Sequence, residues 1–349
     1  MEVCFVDVAQ GSASVVLLGN GRAIVIDCGG RQARTVVSLL SHYRISTICR
    51  LVVTHNHADH SAGAVAILSA YQQRIEEVWM VFDTVLERSI FWARIQEELS
   101  AGRLTDNQIF RLEYRNEATQ IYRKDGILLS VIAPSMAANV RALYAGNPNA
   151  TSGVLVLKGH NKQVIFSGDS TISQWQRIHN LRGRSIKCLL ATIPHHAGKT
   201  WENQMTTENG ATYAARIASE LKWFYTEAVQ ADVGVVSTGT SNTFKHPRPE
   251  VLVAFRLSGG KIFCTQMTKQ CDPDLEGQRR RALPIVLPSR SSSQPQKTRK
   301  GASSNVACGG TLRVVFLPDS ATIVRLQDHA ATVDRVPLIA GQGPLCRRL

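Results

Sequence analysis

Thr54-His55-Asn56-His57-Ala58-Asp59-His60 places three imidazoles and a carboxylate within seven residues. The apolar run Ile48 to Val53 leads into it as a buried-type strand, and Ala62 to Arg74 leads out with helical spacing. On extended backbone, residues two apart point the same way, so His55 and His57 can share one ion. Asp59 and His60 fall where the chain turns into the helix and can aim at a second ion. Imidazole and carboxylate together suit Zn, Mn or Fe, with geometry deciding between them.

Strands and helices alternate outward from this cluster. Val3 to Val8, Ser14 to Leu18 and Arg22 to Ile26 read as short antiparallel strands. Helical spacing occupies 33–43 and 84–100, with a strand over Val78 to Phe82 between them. A second pass has strands at Ile127 to Ile132, Gly153 to Leu157, Gln163 to Phe166, Ile186 to Ile193 and Val233 to Ser237, with helices over 171–180, 211–228 and 250–257. This is an α/β pattern. Asp169 ends one of these strands in a Gly-Asp turn, and His195 and His196 end the next. All three fall on the sheet edge that carries the cluster, where open α/β sheets place their sites.

These residues resemble the metallo-β-lactamase superfamily, and within it the soluble hydrolase domain of the ComEC/Rec2 DNA-uptake proteins and their free-standing relatives. The resemblance rests on ordered motifs around the His-x-His-x-Asp-His signature: Asp7-Val8-Ala9-Gln10-Gly11, Val25-Ile26-Asp27-Cys28-Gly29, Asn149-Ala150-Thr151-Ser152, Gly168-Asp169, Pro194-His195-His196-Ala197-Gly198, and the segment from Gly239 through Asn242 to Lys245-His246-Pro247. It covers about residues 3–265 and resumes near 310. It implies an αββα sandwich, two mixed sheets face to face with helices outside. It also implies that His55 and His57 serve one metal, that Asp59 and His60 serve the other, and that Asp169 bridges them. One of His195 and His196 completes the second site, and both can contact metal. Asp27 is implied as the acid that orients a histidine or its loop. Members with a full first site carry a histidine where this chain offers Asn149 or Ser152, which leaves the first ion with an open position.

Charge points toward a polyanion. The 349 residues carry a formal +13, and residues 279–300 hold seven cations and no acid in a stretch rich in Ser, Gln and Pro. Such a balance favours nucleic acid through phosphate neutralisation, although a solvated loop explains the stretch taken alone. Eight cysteines without a C-x-x-C pair, several in apolar runs, read as small core hydrophobes. Met1 to Asp7 reads as a strand, not a signal peptide, and no run is long enough to span a membrane. The expected compartment is the cytoplasm. The expected division is a hydrolase domain over 1–270, a basic low-complexity insertion or linker over 271–305, a terminal hairpin over 306–328 completing the same domain, and a tail over 329–349.

The expected function is hydrolysis at two divalent ions, Zn or Mn, whose pairing lowers the pKa of a bridging water. Asp59 and Asp169 are candidates to take its proton, and His196 joins them as a catalytic candidate. Lys199, Lys245, His246 and Asn242 are candidate substrate-binding residues, and a phosphodiesterase or nuclease acting on DNA or RNA is the first expectation. A lactone, thioester or phosphoester hydrolase is the second, and a metal-stabilised non-catalytic effector module the third. Protein partners are unspecified, and no interleaved aromatic pattern of the single-strand-binding kind is present.

Overall fold

The computed structural model describes residues 1–29, 32–82, 86–115, 119–145, 148–201, 210–240, 242–268, 270 and 308–324. The expected linker over 271–305, with its basic stretch, and the tail over 329–349 lie outside these residues. The first part of the chain gives β1 (Glu2–Phe5), β2 (Ala13–Gly19), β3 (Arg22–Cys28), α1 (Ala33–His42), β4 (Thr47–Val53), α2 (Ala58–Ser61), α3 (Ala64–Tyr71), β5 (Ile75–Met80), α4 (Ile90–Ser100) and β6 (Ile109–Arg111). The second gives β7 (Thr119–Lys124), β8 (Ile127–Ala133), α5 (Met136–Ala145), β9 (Val154–Gly159), β10 (Lys162–Phe166), α6 (Ile172–Arg182), β11 (Ile186–Thr192) and the single turn α7 (Pro194–Ala197). α8 (Gly210–Trp223), β12 (Val229–Val236), α9 (Pro249–Leu257), β13 (Lys261–Cys264), β14 (Leu312–Phe316) and β15 (Ala321–Val324) follow.

Among the described residues these strands form two sheets, ordered β15-β14-β1-β2-β3-β4-β5-β6 and β13-β12-β11-β10-β9-β8-β7. Each sheet is antiparallel in one part and parallel in the other: β3 to β6 run parallel in the first, β10 to β13 in the second. One apolar cluster lies between the sheets, joining Val3, Phe5, Val16 and Ile24 to Leu129, Leu155, Leu157 and Val164. A second packs the outer face of the first sheet against Val36, Leu40, Ile67, Leu68, Phe91 and Ile95 of its helices. A third does the same for the other sheet through Trp175, Ile178, Leu221, Leu252 and Phe255. The layers are therefore helix, sheet, sheet, helix, as the family resemblance implies. Six cysteines among the described residues are free and buried.

Several elements depart from their sequence-based limits for identifiable reasons. The helix expected over 62–74 is α3, Ala64–Tyr71, continued by a tighter turn over Gln72–Arg74, and Gly63 before it packs so closely on β3 that a Cβ would stand 2.5 Å from the Cys28 carbonyl oxygen. The helix expected from 84 begins at Ile90, because the Ser89 hydroxyl accepts from Phe91 N and Trp92 N as an N-cap worth about 1 kcal/mol. The helix expected to reach 228 ends at Trp223, and a wider turn over Phe224–Ala228 buries Phe224 and Tyr225.

The opening motif ties the two halves together. Asp7 Oδ1 accepts from Ala9 N and from Gln266 Nε2, Gln10 Oε1 accepts from Gly239 N, and Ser237 Oγ donates to Gly11 O. Burial pushes the half-buried Asp7 carboxyl up to about 6, against the two hydrogen bonds it receives. A carboxyl raised in the folded state contributes stability that is full below its unfolded value near 4 and is lost as pH rises through 6. Asp7→Asn keeps the accepting oxygen without the charge. It is expected to unfold at higher temperature than the parent at pH 7–8, by an increment on the order of 1–2 kcal/mol after discount for partial exposure, and to match it near pH 4. Thermal melts across that range check this; a shift equal at all pH values contradicts it.

Candidate metal centre

The cluster forms where β4 ends and α2 begins. Asp27, at the end of β3 with φ of 54°, accepts from Thr54 N at 2.7 Å and Thr54 Oγ1 at 2.8 Å. Its Oδ2 also accepts from His60 Nδ1 at 2.8 Å. One buried carboxylate thus fixes both the entry to the motif and its last histidine. His57 is the N-cap of α2, which sets Asp59 in the first turn and His60 behind it. Ser12 N donates to the Asp59 carbonyl at 2.8 Å and Gly29 N to the Ser12 carbonyl at 2.9 Å, so three segments pin this turn.

The second sheet supplies the facing groups from the carboxyl ends of β10 and β11. Gly168 takes a φ of 51° and turns Asp169 inward, where its N–H donates to Ser152 Oγ at 2.8 Å. His195, His196 and Ala197 all have φ between 53° and 59°, a left-handed turn closed by Gly198 N donating to His195 O. Side chains rarely adopt this region, at roughly 1–2 kcal/mol per residue, and here the turn presents both imidazoles to Asp169. Asp169 Oδ1 stands 2.9 Å from His60 Nε2 and 3.9 Å from His196 Nε2; its Oδ2 stands 3.5 Å from His55 Nε2 and 3.6 Å from His195 Nε2. His196 Nε2 lies 3.3 Å from Asp59 Oδ2 and 3.1 Å from His60 Nε2.

Two groups with the spacing of metal ligands result among the described residues: His55, His60 and Asp169, and Asp59, His60 and His196. The second group keeps the expected pairing of Asp59 with His60 and adds His196, whereas the first sets His55 with His60 and Asp169 and not with His57. His57 stands edge-on to His55, ring centroids 4.8 Å apart, and is in neither. His195 reaches Asp169 without joining either group.

Hydrogen bonds settle which nitrogens face inward. His60 Nδ1 meets a carboxylate, His196 Nδ1 the Ser237 carbonyl at 2.7 Å, and His195 Nδ1 the Lys199 carbonyl at 2.8 Å. These partners only accept, so each Nδ1 carries a proton and each Nε2 turns toward the carboxylates. His60 Nε2 and His196 Nε2 then face each other, and buried His55 Nε2 has no hydrogen-bond partner. Positive charge is what this arrangement calls for. Burial disfavours the Asp59 and Asp169 anions, but for Asp59 the His196 hydrogen bond and His60, and for Asp169 the charges of His60 and His55, hold both below the usual range. Burial likewise opposes protonation of His60 and His196, and the carboxylates override it and raise both. A divalent cation would take the place of those protons, so the residues fit a metal.

The remaining expected residues are placed as follows. Ser152 is fully buried, its hydroxyl 3.4 Å from His55 Nδ1, so it fills the space beside the first group with a small side chain. The carbonyl of Asn149 accepts from Ser152 N in the turn before it. Asn242 is used within its own loop: its Nδ2 donates to Gly239 O and His246 O, and its Oδ1 accepts from His246 N. With both ends of its amide so engaged, it shapes the loop that carries Lys245 and His246. Lys245 is exposed, with φ of 61°. His246 is buried against the double histidine, ring centroids 5.2 Å from His195 and 6.1 Å from His196; burial, then those two imidazoles, push its pKa down to about 4. Sequence reasoning missed Thr54 and Ser237, which hold the centre through Asp27 and His196. Thr54 abuts the motif and was open to notice; Ser237 lies 41 residues from the histidine it binds and carries no local signal.

A family model described as the metallo-beta-lactamase superfamily matches residues 6–181. No curated protein matches the chain. Among solved structures, the chain is similar to the metallo-beta-lactamase fold protein YhfI from Bacillus subtilis at 12% identity and a TM-score of 0.43, covering 75% of this chain and 95% of that one. It is also similar to human tRNase Z, short form, at 15% identity and a TM-score of 0.39, covering 68% and 92%. Unliganded yeast PDE1 is a further one, at 12% identity and a TM-score of 0.44, covering 75% and 96%.

Proposed function

Because the chain belongs to the metallo-β-lactamase superfamily, we propose that its histidine–carboxylate cluster is a divalent-metal centre that hydrolyses phosphodiester bonds in DNA or RNA. The observation that carries the reading is the set of three imidazoles whose Nδ1 protons are held by fixed acceptors while their Nε2 atoms converge on Asp169 and Asp59. Asp59, His60 and His196 would hold one ion; the single free Nε2 of His60 serves only one, so His55 and Asp169, flanked by His57 and His195, would be left to hold a second. Nitrogen and carboxylate donors without sulfur favour Zn or Mn. When bound, such ions acidify water and stabilise charge on a phosphoryl oxygen.

The chain's own residues divide the remaining work. Asp27 orients His60, and Ser152 holds Asp169 by its backbone. Asp59, kept ionised and 28% exposed, is the acceptor placed to receive a proton at the mouth. Lys199 and Lys245, with His246 behind them, are candidates to hold the phosphates on either side. The +13 balance of the chain supports a polyanionic substrate. Motifs shared with the ComEC-type hydrolase domains support the same class.

The test is cleavage of labelled DNA and RNA with Mn, Zn or Mg, run beside Asp59→Ala. Metal-dependent cleavage that falls by at least about 100-fold in the variant is expected, beyond what loss of a supporting contact costs. Turnover of lactones or thioesters alone would overturn the phosphodiester reading.

A further inference from the structure

Phe244 is 61% exposed, and among the described side chains it is the only Phe, Tyr or Trp that lies mostly in solvent. Its loop is not loose. The three hydrogen bonds of the Asn242 amide close residues 242–246 into a fixed loop, and Phe244 stands at its outer end beside exposed Lys245. The ring also has a backing. It lies 5.8 Å from the His246 ring, tilted 39°, and the His246 ring lies 6.1 Å from that of His196, stacked at 24°. His246 cannot retreat, because it fills the space over Gly198, where a Cβ would stand 2.6 Å from its Cε1 and Nε2. A wet aromatic face is thus held two ring-to-ring steps from a candidate metal ligand, next to a cation.

We propose that Phe244 is the stacking seat for a nucleobase of the strand whose phosphate lies at the His/Asp cluster; this rests on the phosphodiesterase reading above. Every base has a π-face, so an aromatic platform holds a strand without reading its sequence. Lys245 beside the ring neutralises a flanking phosphate while the ring takes the base. The seat makes the substrate a nucleotide chain, not a bare phosphoester, and it makes the single-stranded form, whose bases are free to stack, the preferred one.

The test uses the full chain and two labelled single-stranded DNA oligonucleotides, one complete and one with abasic residues at every position near the cleavage site. Phosphorothioate versions that resist cleavage report binding by fluorescence anisotropy. The complete strand is expected to bind more tightly than the abasic one. Phe244→Ala should weaken binding and raise KM for the complete strand by about 5- to 100-fold, the range alanine substitution of a stacking residue gives. It should leave the abasic strand and the melting temperature unchanged, and Phe244→Trp should restore the preference. Equal binding of the two strands by the parent protein, or an equal loss for both in Phe244→Ala, overturns the proposal. If the parent cleaves neither strand, the catalytic reading falls on its own, and the binding difference still decides for or against the seat.

Discussion

Asp169→Asn is expected to yield a folded protein that loses the proposed metal and, with it, the proposed hydrolytic activity. Asp169 reaches His55, His60, His195 and His196 with its two carboxylate oxygens, and it is 2% exposed. The amide preserves shape and the donation from its own N–H to Ser152, so misfolding is not the expected outcome. What it removes is the charge at the meeting point of both ligand groups. Activity should fall further than the roughly 10–100-fold that accompanies loss of an orienting contact. Elemental analysis of the purified protein and melting with added Zn or Mn read the result: the parent is stabilised by metal, and the variant is not. Metal retained at the parent's level in Asp169→Asn would place the centre elsewhere.

Among the glycines of the described residues, Gly29→Ala is expected to be the most damaging. A Cβ there would lie 1.5 Å from the Asp59 carbonyl oxygen and 1.9 Å from its carbon, both backbone atoms that cannot rotate aside. The same oxygen accepts from Ser12 N, and Gly29 N donates to Ser12 O. Relieving the clash therefore moves the turn that carries Asp59 and His60. Overpacking against fixed backbone costs about 3 kcal/mol, which at about 2.1 cal/mol/K of unfolding entropy per residue lowers the melting temperature by roughly 4–5 °C. Gly210→Ala is the control, since nothing lies within 4 Å of its added methyl. Equal melting temperatures for the two variants would contradict the packing argument.

The two predictions differ in how far the sequence foresaw them. His55 through His60 announce a metal centre because their spacing is local, and Asp169 and the double histidine are found because each ends an apolar strand. The sharing of His60 between two groups is not legible, since it depends on Asp27 reaching across from β3 to turn the ring. Nor is the left-handed turn at His195–Ala197, for these residue types carry no strong preference for that backbone and tertiary contacts impose it. β7 passed unnoticed because Thr119–Lys124 buries only Ile121 and Tyr122 and shows no clean alternation. β13 has four residues, and α5 opens on an exposed Met136, so neither gives a pattern that stands out. Phe244 is a lone aromatic in a polar loop, and only its exposure and backing mark it.

His55, Asp59 and His60 hang from one sheet, whereas Asp169, His195 and His196 hang from the other. Neither sheet alone owns a complete set of donors. An ion bound there recognises only the assembled sandwich, and at a hundredfold excess over its dissociation constant it would add about 2.7 kcal/mol to the docked state. The centre is then a rivet as well as a reagent: the chemistry and the seam between the two layers would share one fastening.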